Sequence, residues 1–264
     1  MIALLVIVGI LGLAVGSFLN VVIWRVPRRE SVNHPPSSCP ICGTRIRWRD
    51  NIPVLSWLIL RGRCRDCGEP ISRRYPAVEA GTALLFVLVA ARFGFELPSV
   101  AALPAYLYLA AIAVVLSLID IDTHRLPNRI VLPSFAIALV LLAIPTGATG
   151  DWWMLARAGS GGAVLFAFYF SLTLVYPKGM GLGDVKLAGV LGLFLGWLGW
   201  SELVVGAFAP FLLGGIYAIG LLIARRAGRG SAIPFGPWML GGALLSTFFG
   251  REIANGYLAI VGIS

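Results

Sequence analysis

The sequence predicts an all-α, polytopic membrane protein with about eight transmembrane helices, both termini outside the cytoplasm, and a small cysteine-rich cytoplasmic loop. Three observations predict this fold class: long apolar segments, an uneven distribution of basic residues, and two Cys-x-x-Cys pairs in the largest polar segment. The 264 residues are 58% hydrophobic and only 12% charged. A soluble domain of this length does not need so much apolar surface, so a membrane protein is expected.

Eight apolar segments approach or reach the roughly 17–25 residues that a helix needs to cross a bilayer. They comprise residues 2–24, 77–91 (extending to 95), 103–119, 130–144, 159–175, 185–200, 203–224 and 238–249. The first segment has no Lys or Arg before it, and its basic cluster follows it. This order favours an uncleaved helix with an outside N-terminus over a removable signal peptide.

Basic residues lie mostly on one side of this eight-span layout. Of the 21 Lys and Arg residues, all but Arg92, Arg157 and Arg251 fall on the side that holds the loop at 25–76. Because cytoplasmic loops carry the excess of Lys and Arg, this side is predicted to be the cytoplasm. The net charge of +9 then reflects loop topology and contact with anionic lipid head groups, with no need for a nucleic-acid partner.

The one sizeable polar segment, residues 25–76, contains the pairs "CPICG" and "CRDCG" with 21 residues between them. Two Cys-x-x-Cys pairs at this spacing are typical of a tetrahedral structural zinc site, so the loop is predicted to be zinc-ribbon-like. In each pair a glycine, Gly43 or Gly68, follows the second cysteine and permits a tight turn. The predicted ligands are all the cysteines of the chain, Cys39, Cys42, Cys64 and Cys67.

Two disulfides are the alternative for these cysteines. The predicted cytoplasmic position of the loop argues against them, because that compartment keeps thiols reduced. If zinc binds, four thiolates leave no open position for a catalytic water, so a structural role is expected. The arginines of the loop are expected to face lipid or to pair with Asp50, Asp66, Glu69 and Glu79.

Three aspartates are predicted at the cytoplasmic edge of the membrane. Asp120 and Asp122 end the third span in "LSLIDIDTHRLPN", and Asp184 begins the sixth. Ionisable groups at membrane depth are costly, which makes them candidates for a functional site. Positions two apart do not share a helix face, so only one of Asp120 and Asp122 can easily face Asp184.

Each aspartate also has a purely structural interpretation. Asp184 would serve as the N-cap of a helix that begins at Val185, and Asp122 would be a solvated residue at a helix end. Asp120, which follows an apolar run, is the hardest to explain in this way.

Two carboxyl groups that share one proton can hydrolyse a peptide bond. The ionised group acts as general base on a water molecule, while the protonated group donates to the carbonyl oxygen. Asp184 at a helix N-terminus is expected to start as the base, and Asp120 near a helix C-terminus is expected to carry the proton.

The motifs together resemble those of the type IV prepilin peptidases, membrane aspartic proteases with a GxGD signature. The matching segments are "GSFLNVVIWRVP", the paired cysteines, "NIPVLSWLILRGRC", "RYPAVE", "IDIDTHRLPN", "GLGD" followed by Val185 and Lys186, and "IPFGP". They cover the chain from Gly16 to about Gly236, and their combination is specific where "GLGD" alone is weak. One departure is Asn128, where many long members of the family carry Asp.

The resemblance implies a bifunctional enzyme of the bacterial cytoplasmic (inner) membrane, with its active site at the cytoplasmic edge. Members of the family cut the basic leader from prepilins and pseudopilins of type IV pili and type II secretion, after a Gly. Many then methylate the new N-terminal residue with S-adenosylmethionine. By this resemblance the catalytic residues are Asp120 and Asp184. Supporting roles fall to Asp122, Gly181, Gly183 and Lys186, and the glycines would let a substrate backbone come close.

Three alternatives stay open. A proton- or cation-coupled transporter also places aspartates in the membrane, a presenilin-like protease would act on other substrates, and a peptidase without methyltransferase activity would share the aspartate pair. No soluble methyltransferase domain or glycine-rich cofactor loop on a Rossmann strand is visible in the sequence. The expected organisation is a first transmembrane helix at 1–24, a cysteine-rich loop domain at 25–76 and a membrane peptidase core at 77–264.

Overall fold

The computed structural model describes residues 2–94, 99–177, 179–225 and 233–262. Within these ranges the chain forms helices and no named β-strand, which confirms the predicted all-α fold. The cysteine loop contains a 3-10 turn (Trp48–Asp50), the short helix α2 (Leu55–Ile59) and two isolated antiparallel β-bridges, Ser38 with Arg45 and Arg63 with Pro70. The long helices are α1 (Ile2–Arg25), α3 (Arg74–Phe93), α4 (Ser99–Thr123), α5 (Asn128–Thr149), α6 (Trp152–Val175), α7 (Leu182–Leu198), α8 (Trp200–Ile223) and α9 (Gly236–Val261).

Each predicted apolar segment corresponds to one of these long helices. Six of them, α1, α3, α4, α5, α6 and α8, are long and apolar enough to cross a membrane. Helix α7 is shorter, with 17 residues, and α9 carries Arg251 and Glu252 in its second half. The chain is therefore a multi-pass membrane protein. Residue 95 and three basic residues predicted on the cytoplasmic side, Lys178, Arg226 and Arg229, lie outside the described residues.

Packing divides the chain into two compact units, Met1–Phe95 and Glu96–Ser264. In the first unit α3 packs along α1, and the cysteine loop connects these two helices. The expected organisation placed the helix after the loop with the peptidase core, whereas packing groups that helix with α1. The assignment of functions to the three parts of the chain stays a prediction.

A stripe of glycines lets α1 and α3 approach closely. A Cβ atom on Gly12 would lie 2.6 Å from the Cα of Ala83, and one on Gly16 would lie 2.8 Å from the Cα of Glu79. The side-chain amide of Asn20 donates to a backbone carbonyl at the start of α3 at 3.2 Å. The "GSFLN" segment is therefore explained by helix packing, because small residues let helix backbones come together.

In the second unit, α6 and α7 pack antiparallel through facing glycines. A Cβ atom on Gly161 would lie 2.7 Å from the carbonyl oxygen of Gly192 and 2.9 Å from the Cα of Gly196. At one end of this pair, the guanidinium of Arg157 donates to three carbonyl oxygens at the C-terminus of α7, at 2.6, 2.7 and 3.1 Å. Most of α7 is buried, as its uniformly apolar sequence predicts for a helix surrounded by others.

Candidate active site

Asp120 lies in the last turn of α4 and is only 5% exposed. Its Oδ2 accepts a hydrogen bond from the backbone N–H of Gly236 at 3.0 Å. Gly236 is the first residue of α9, so the donor is one of the N–H groups that a helix N-terminus leaves without an intrahelical partner. The C-terminal end of α4 and the N-terminal end of α9 therefore meet at this carboxyl group.

Asp184 is the third residue of α7, which begins at Leu182 and not at Val185. Its Oδ2 accepts a hydrogen bond from the backbone N–H of Gly181 at 3.0 Å, and Gly181 is the N-cap residue. Asp184 therefore stabilises the helix start by reaching back from the first turn, as the acidic residue of a capping box does. The N-cap interpretation of Asp184 is wrong because the helix begins three residues earlier than the apolar run indicated.

The helix ends that carry the two aspartates lie together, although Asp120 and Asp184 are 64 positions apart in the sequence. The side chain of Leu126, in the turn after α4, contacts both backbone segments that position them. A Cβ atom added to Gly183 would lie 3.2 Å from the Cβ of Leu126. One added to Gly236 would lie 3.3 Å from the Cδ2 of Leu126. Three helix ends thus converge around one leucine.

The other supporting residues on α4 and α7 have different surroundings. Asp122 is exposed and occupies a different helix face from Asp120, as residues two apart do. Lys186 donates from Nζ to Oδ1 of Asn128 at 3.2 Å. This hydrogen bond links α7 to the first residue of α5, so Asn128, the departure from the family pattern, has a defined structural partner.

The two glycines of "GLGD" also differ. A Cβ atom on Gly183 would press on Leu126 at 3.2 Å, so the absence of a side chain there is explained by packing. Gly181 is exposed, and the nearest atom to a Cβ placed on it is Oδ2 of Asp184 at 3.6 Å. Gly181 is therefore open enough for the approach of a substrate backbone.

Sequence reasoning missed Gly236 and Leu126 as parts of this site. Both belong to segments that were noted, "IPFGP" and "IDIDTHRLPN", but no local pattern shows that the start of α9 returns to the end of α4. One signal was present: Gly236 precedes Pro237, and a proline near a helix start marks a position where backbone N–H groups are free.

The four cysteines form a candidate metal site in the first unit. Their Sγ atoms all lie within 4.8 Å of one another, and those of Cys39 and Cys67 are 3.8 Å apart. Two sulfurs bound at about 2.3 Å to a tetrahedral zinc ion are about 3.8 Å apart. The cysteines are free thiols and not disulfides, so the set fits one metal ion.

The two cysteine pairs are built in the same way. The N–H of Gly43 donates to the carbonyl of Cys39 at 2.9 Å, and the N–H of Gly68 donates to the carbonyl of Cys64 at 2.9 Å. Both glycines have positive φ angles, +70° and +74°, which a residue with a Cβ adopts only under strain. Each pair is therefore a local turn that presents two thiols.

The thiols differ in acidity. Hydrogen bonds from the side chain and backbone of Thr44 lower the pKa of Cys42 to about 7. A backbone hydrogen bond from Glu69 lowers the pKa of Cys67, but desolvation and the neighbouring thiols outweigh it and raise the pKa to about 12. A metal ion binds thiolates, so metal binding would release protons from this cluster.

Acidic residues hold the loop together in two ways. Glu79 is buried, and its carboxylate accepts the backbone N–H of Val54 at 2.7 Å. Two of the expected ion pairs with loop arginines are present, Arg65–Asp50 at 2.6 Å and Arg47–Asp66 at 3.0 Å. Some of the loop's positive charge is therefore neutralised within the loop.

Two family models match the two units of the chain. Residues 10–93, which include the four cysteines, match the bacterial peptidase A24 N-terminal domain. Residues 107–219, which include Asp120 and Asp184, match the type IV leader peptidase family. A comparison with solved structures found no match.

Several curated proteins named prepilin leader peptidase/N-methyltransferase are similar along most of the chain. One from Pseudomonas putida is 38% identical, covering 96% of this chain and 93% of its own, and one from Pseudomonas aeruginosa is 36% identical with coverages of 96% and 93%. One from Myxococcus xanthus is 43% identical over 83% of this chain and 64% of its own. Both family models match in order, and the two Pseudomonas relatives align over more than nine-tenths of both chains, so this chain belongs to the type IV leader peptidase family.

Proposed function

We propose that this protein is a membrane aspartic endopeptidase that removes the leader peptide of type IV prepilins or pseudopilins after a Gly, and that it N-methylates the new N-terminal residue. The observation that carries the peptidase activity is the convergence of Asp120 and Asp184, each with its Oδ2 bound by a backbone N–H at a helix start. The methyltransferase activity is supported by relatives that are named for both activities. None of these relatives is named as a transporter, which leaves that alternative without support.

In the proposed reaction the ionised carboxylate takes a proton from a water molecule as the water oxygen attacks the scissile carbonyl carbon. The protonated partner donates its proton to the carbonyl oxygen, which gives a neutral tetrahedral intermediate. The C–N bond then breaks, and the leaving nitrogen takes the proton that the base had accepted. A hydroxyl of the intermediate returns its proton to the other carboxylate, so the pair ends with the proton content with which it began.

The assignment of base and acid depends on both helix starts. The helix-position argument made Asp184 the base because it lies at the N-terminus of α7. The same argument applies to Asp120, because the N-terminus of α9 donates to it. Helix position alone therefore does not distinguish the two groups, and we treat them as one pair that shares a proton.

We place this site at the cytoplasmic edge of the inner membrane. Two of the basic residues predicted outside lie away from the helix ends that form this site: Arg157 donates to the C-terminus of α7, and Arg251, in the second half of α9, pairs with Glu202 near the start of α8. A prepilin whose apolar helix stays in the bilayer would bring the end of its basic leader to this depth. Membrane lipids are the other proposed partners, and nucleic acid is not one.

Zinc is the proposed metal of the cysteine site, with Cys39, Cys42, Cys64 and Cys67 as ligands and a structural role, because four thiolates leave no open position. For methylation, S-adenosylmethionine would supply the methyl group. The described residues contain no named β-strand, so they hold no Rossmann-type site, and methylation rests on the family relationship.

The decisive test is cleavage of a prepilin by the purified, reconstituted protein. Asp120→Asn and Asp184→Asn should each lower kcat/KM by about 10³-fold or more, because each removes a proton-transfer group. Glu252→Gln, which changes an exposed carboxyl group on α9, is the matched control and should cleave normally. Cleavage that survives either aspartate change refutes the proposed pair.

Mass spectrometry of the cleaved product tests methylation separately. An unmethylated product would reject the proposed methyltransferase activity and leave the peptidase activity standing.

The sidedness of the loop is tested with a membrane-impermeant thiol reagent. Cys42 and Cys67 are exposed, so metal-depleted protein should be labelled in inverted membrane vesicles and not in right-side-out ones. Labelling of right-side-out vesicles would contradict the cytoplasmic placement.

A further inference from the structure

We infer that Gly236 is a positioning residue for Asp120: its N–H binds the carboxylate, and its lack of a side chain leaves the space that the carboxylate occupies. The inference rests on the proposed peptidase function. The two residues are 116 positions apart, so the contact is a product of the tertiary fold.

The space beside the Cα of Gly236 is occupied by the side chains of Asp120 and Leu126. A Cβ atom there would lie 2.7 Å from Oδ2 of Asp120 and 3.3 Å from Cδ2 of Leu126. The first distance is shorter than a carbon and an oxygen without a bond tolerate. Because Oδ2 ends a side chain that can rotate, the carboxyl group would move before any backbone did. An alanine at this position is therefore expected to turn Asp120 away from its hydrogen bond at small cost to the fold.

The start of α9 is anchored, which makes it the rigid partner in this contact. The ring of Phe235 packs 5.3 Å from that of Phe211 and 6.4 Å from that of Tyr169, centroid to centroid. Tyr169 is itself 1% exposed and donates its hydroxyl to the carbonyl of Ala207 at 3.0 Å. Aromatic packing of this kind holds the backbone in place, so Gly236 cannot retreat from an added methyl group.

A displaced Asp120 should affect the chemical step more than substrate binding. A misplacement of about 1 Å in a reacting group can cost about 10²-fold in rate. The prepilin would still bind through contacts away from the pair. The expected signature of Gly236→Ala is therefore a fall in kcat with an unchanged KM.

The experiment compares Gly236→Ala with Gly241→Ala, which lies on the same helix with no neighbouring atom within 4 Å of an added Cβ. Reconstituted Gly236→Ala should lose about 10²-fold in kcat, keep KM within about twofold, and unfold at the same temperature as the control. Gly241→Ala should cleave normally. Wild-type kcat in Gly236→Ala would overturn the inference.

If Gly236→Ala unfolds at a lower temperature, a double-mutant cycle with Asp120→Ala decides the case. When the added methyl group conflicts with the carboxylate, removal of the carboxylate restores stability, and the two changes are not additive. Additive losses mean that Gly236 only packs, and they overturn the inference. A failure of the proposed function looks different, because cleavage would then survive Asp120→Asn and Asp184→Asn.

Discussion

The cysteine loop and the aspartate pair bring reactive groups together by different means. Each half of the loop is a turn closed by a hydrogen bond between residues four apart, and the two halves meet at Cys39 and Cys67, which are 28 positions apart. The aspartate pair has no such local frame, because it depends on three helix ends. A local motif carries its own geometry, whereas a pair built from helix ends takes its geometry from helix packing. Changes within a cysteine turn should therefore impair metal binding directly. The aspartate pair should also be impaired by changes at helix contacts that lie outside the pair itself.

The largest expected effect comes from removing one half of the loop's ligands. The double change of Cys39 and Cys42 to Ser should reduce bound zinc from one ion per chain to nearly none, because two thiolates do not hold structural zinc. Elemental analysis of the purified protein measures the metal, and Ser38→Ala, beside the pair, is the control. Asp120→Asn should keep its zinc, since the aspartate pair takes no part in the loop. Retention of zinc by the double cysteine variant would contradict the assigned ligands.

A smaller effect is expected from Gly192, which lies on α7 eight residues after Asp184. A Cβ on Gly192 would collide with the backbone of Gly161, so Gly192→Ala should separate α6 from α7 and cost about 1–3 kcal/mol of stability. Cleavage should fall as well, because α7 carries Asp184. Thermal unfolding and prepilin cleavage measure the two effects. Gly220→Ala on α8, where an added Cβ meets nothing within 4 Å, should change neither, and equal behaviour of the two variants would show that the helix contact does not matter.

The smallest expected effect comes from the turn glycines of the loop. An added Cβ on Gly43 or Gly68 meets nothing within 4 Å, so the only cost is the positive φ angle. That strain is about 1 kcal/mol, or about fivefold in zinc affinity, measured by competition with a coloured chelator. Gly43→Ala and Gly68→Ala should behave alike, since the two turns are built alike. Loss of all metal in one of them would show that the two halves are not equivalent.

The sequence predicted the parts of each site better than their assembly. The four cysteines were predicted as one set, and the structure places their sulfur atoms together. Asp120 and Asp184 were predicted at one membrane edge, and the structure places the helix ends that carry them around one leucine, Leu126. The start of α7 was predicted three residues late, because the glycines around Leu182 do not continue the apolar run that begins at Val185. The roles of these residues in catalysis and metal binding stay predictions.

Sequence patterns did not predict which helices contact each other. Nothing local in "IPFGP" shows that Gly236 donates to Asp120, or that Leu126 touches the backbone segments beside both aspartates. Nor does an apolar segment show that α3 packs with α1 and not with the helices that follow it. Such contacts depend on the close fit of glycines on one helix against the backbone of another, which involves both partners at once.

The sequence by itself determined the helical membrane fold, the lengths of the apolar segments and the two cysteine turns. These follow from composition, from the thickness of a bilayer and from bonds between residues a few positions apart. Only the tertiary structure decided which helix ends meet. The hydrogen bonds to Asp120 and Asp184 look alike, yet the donor to Asp184 is three residues away and the donor to Asp120 is 116 residues away. The first is fixed by the local helix start, and the second exists only because packed helices bring the start of α9 to the end of α4.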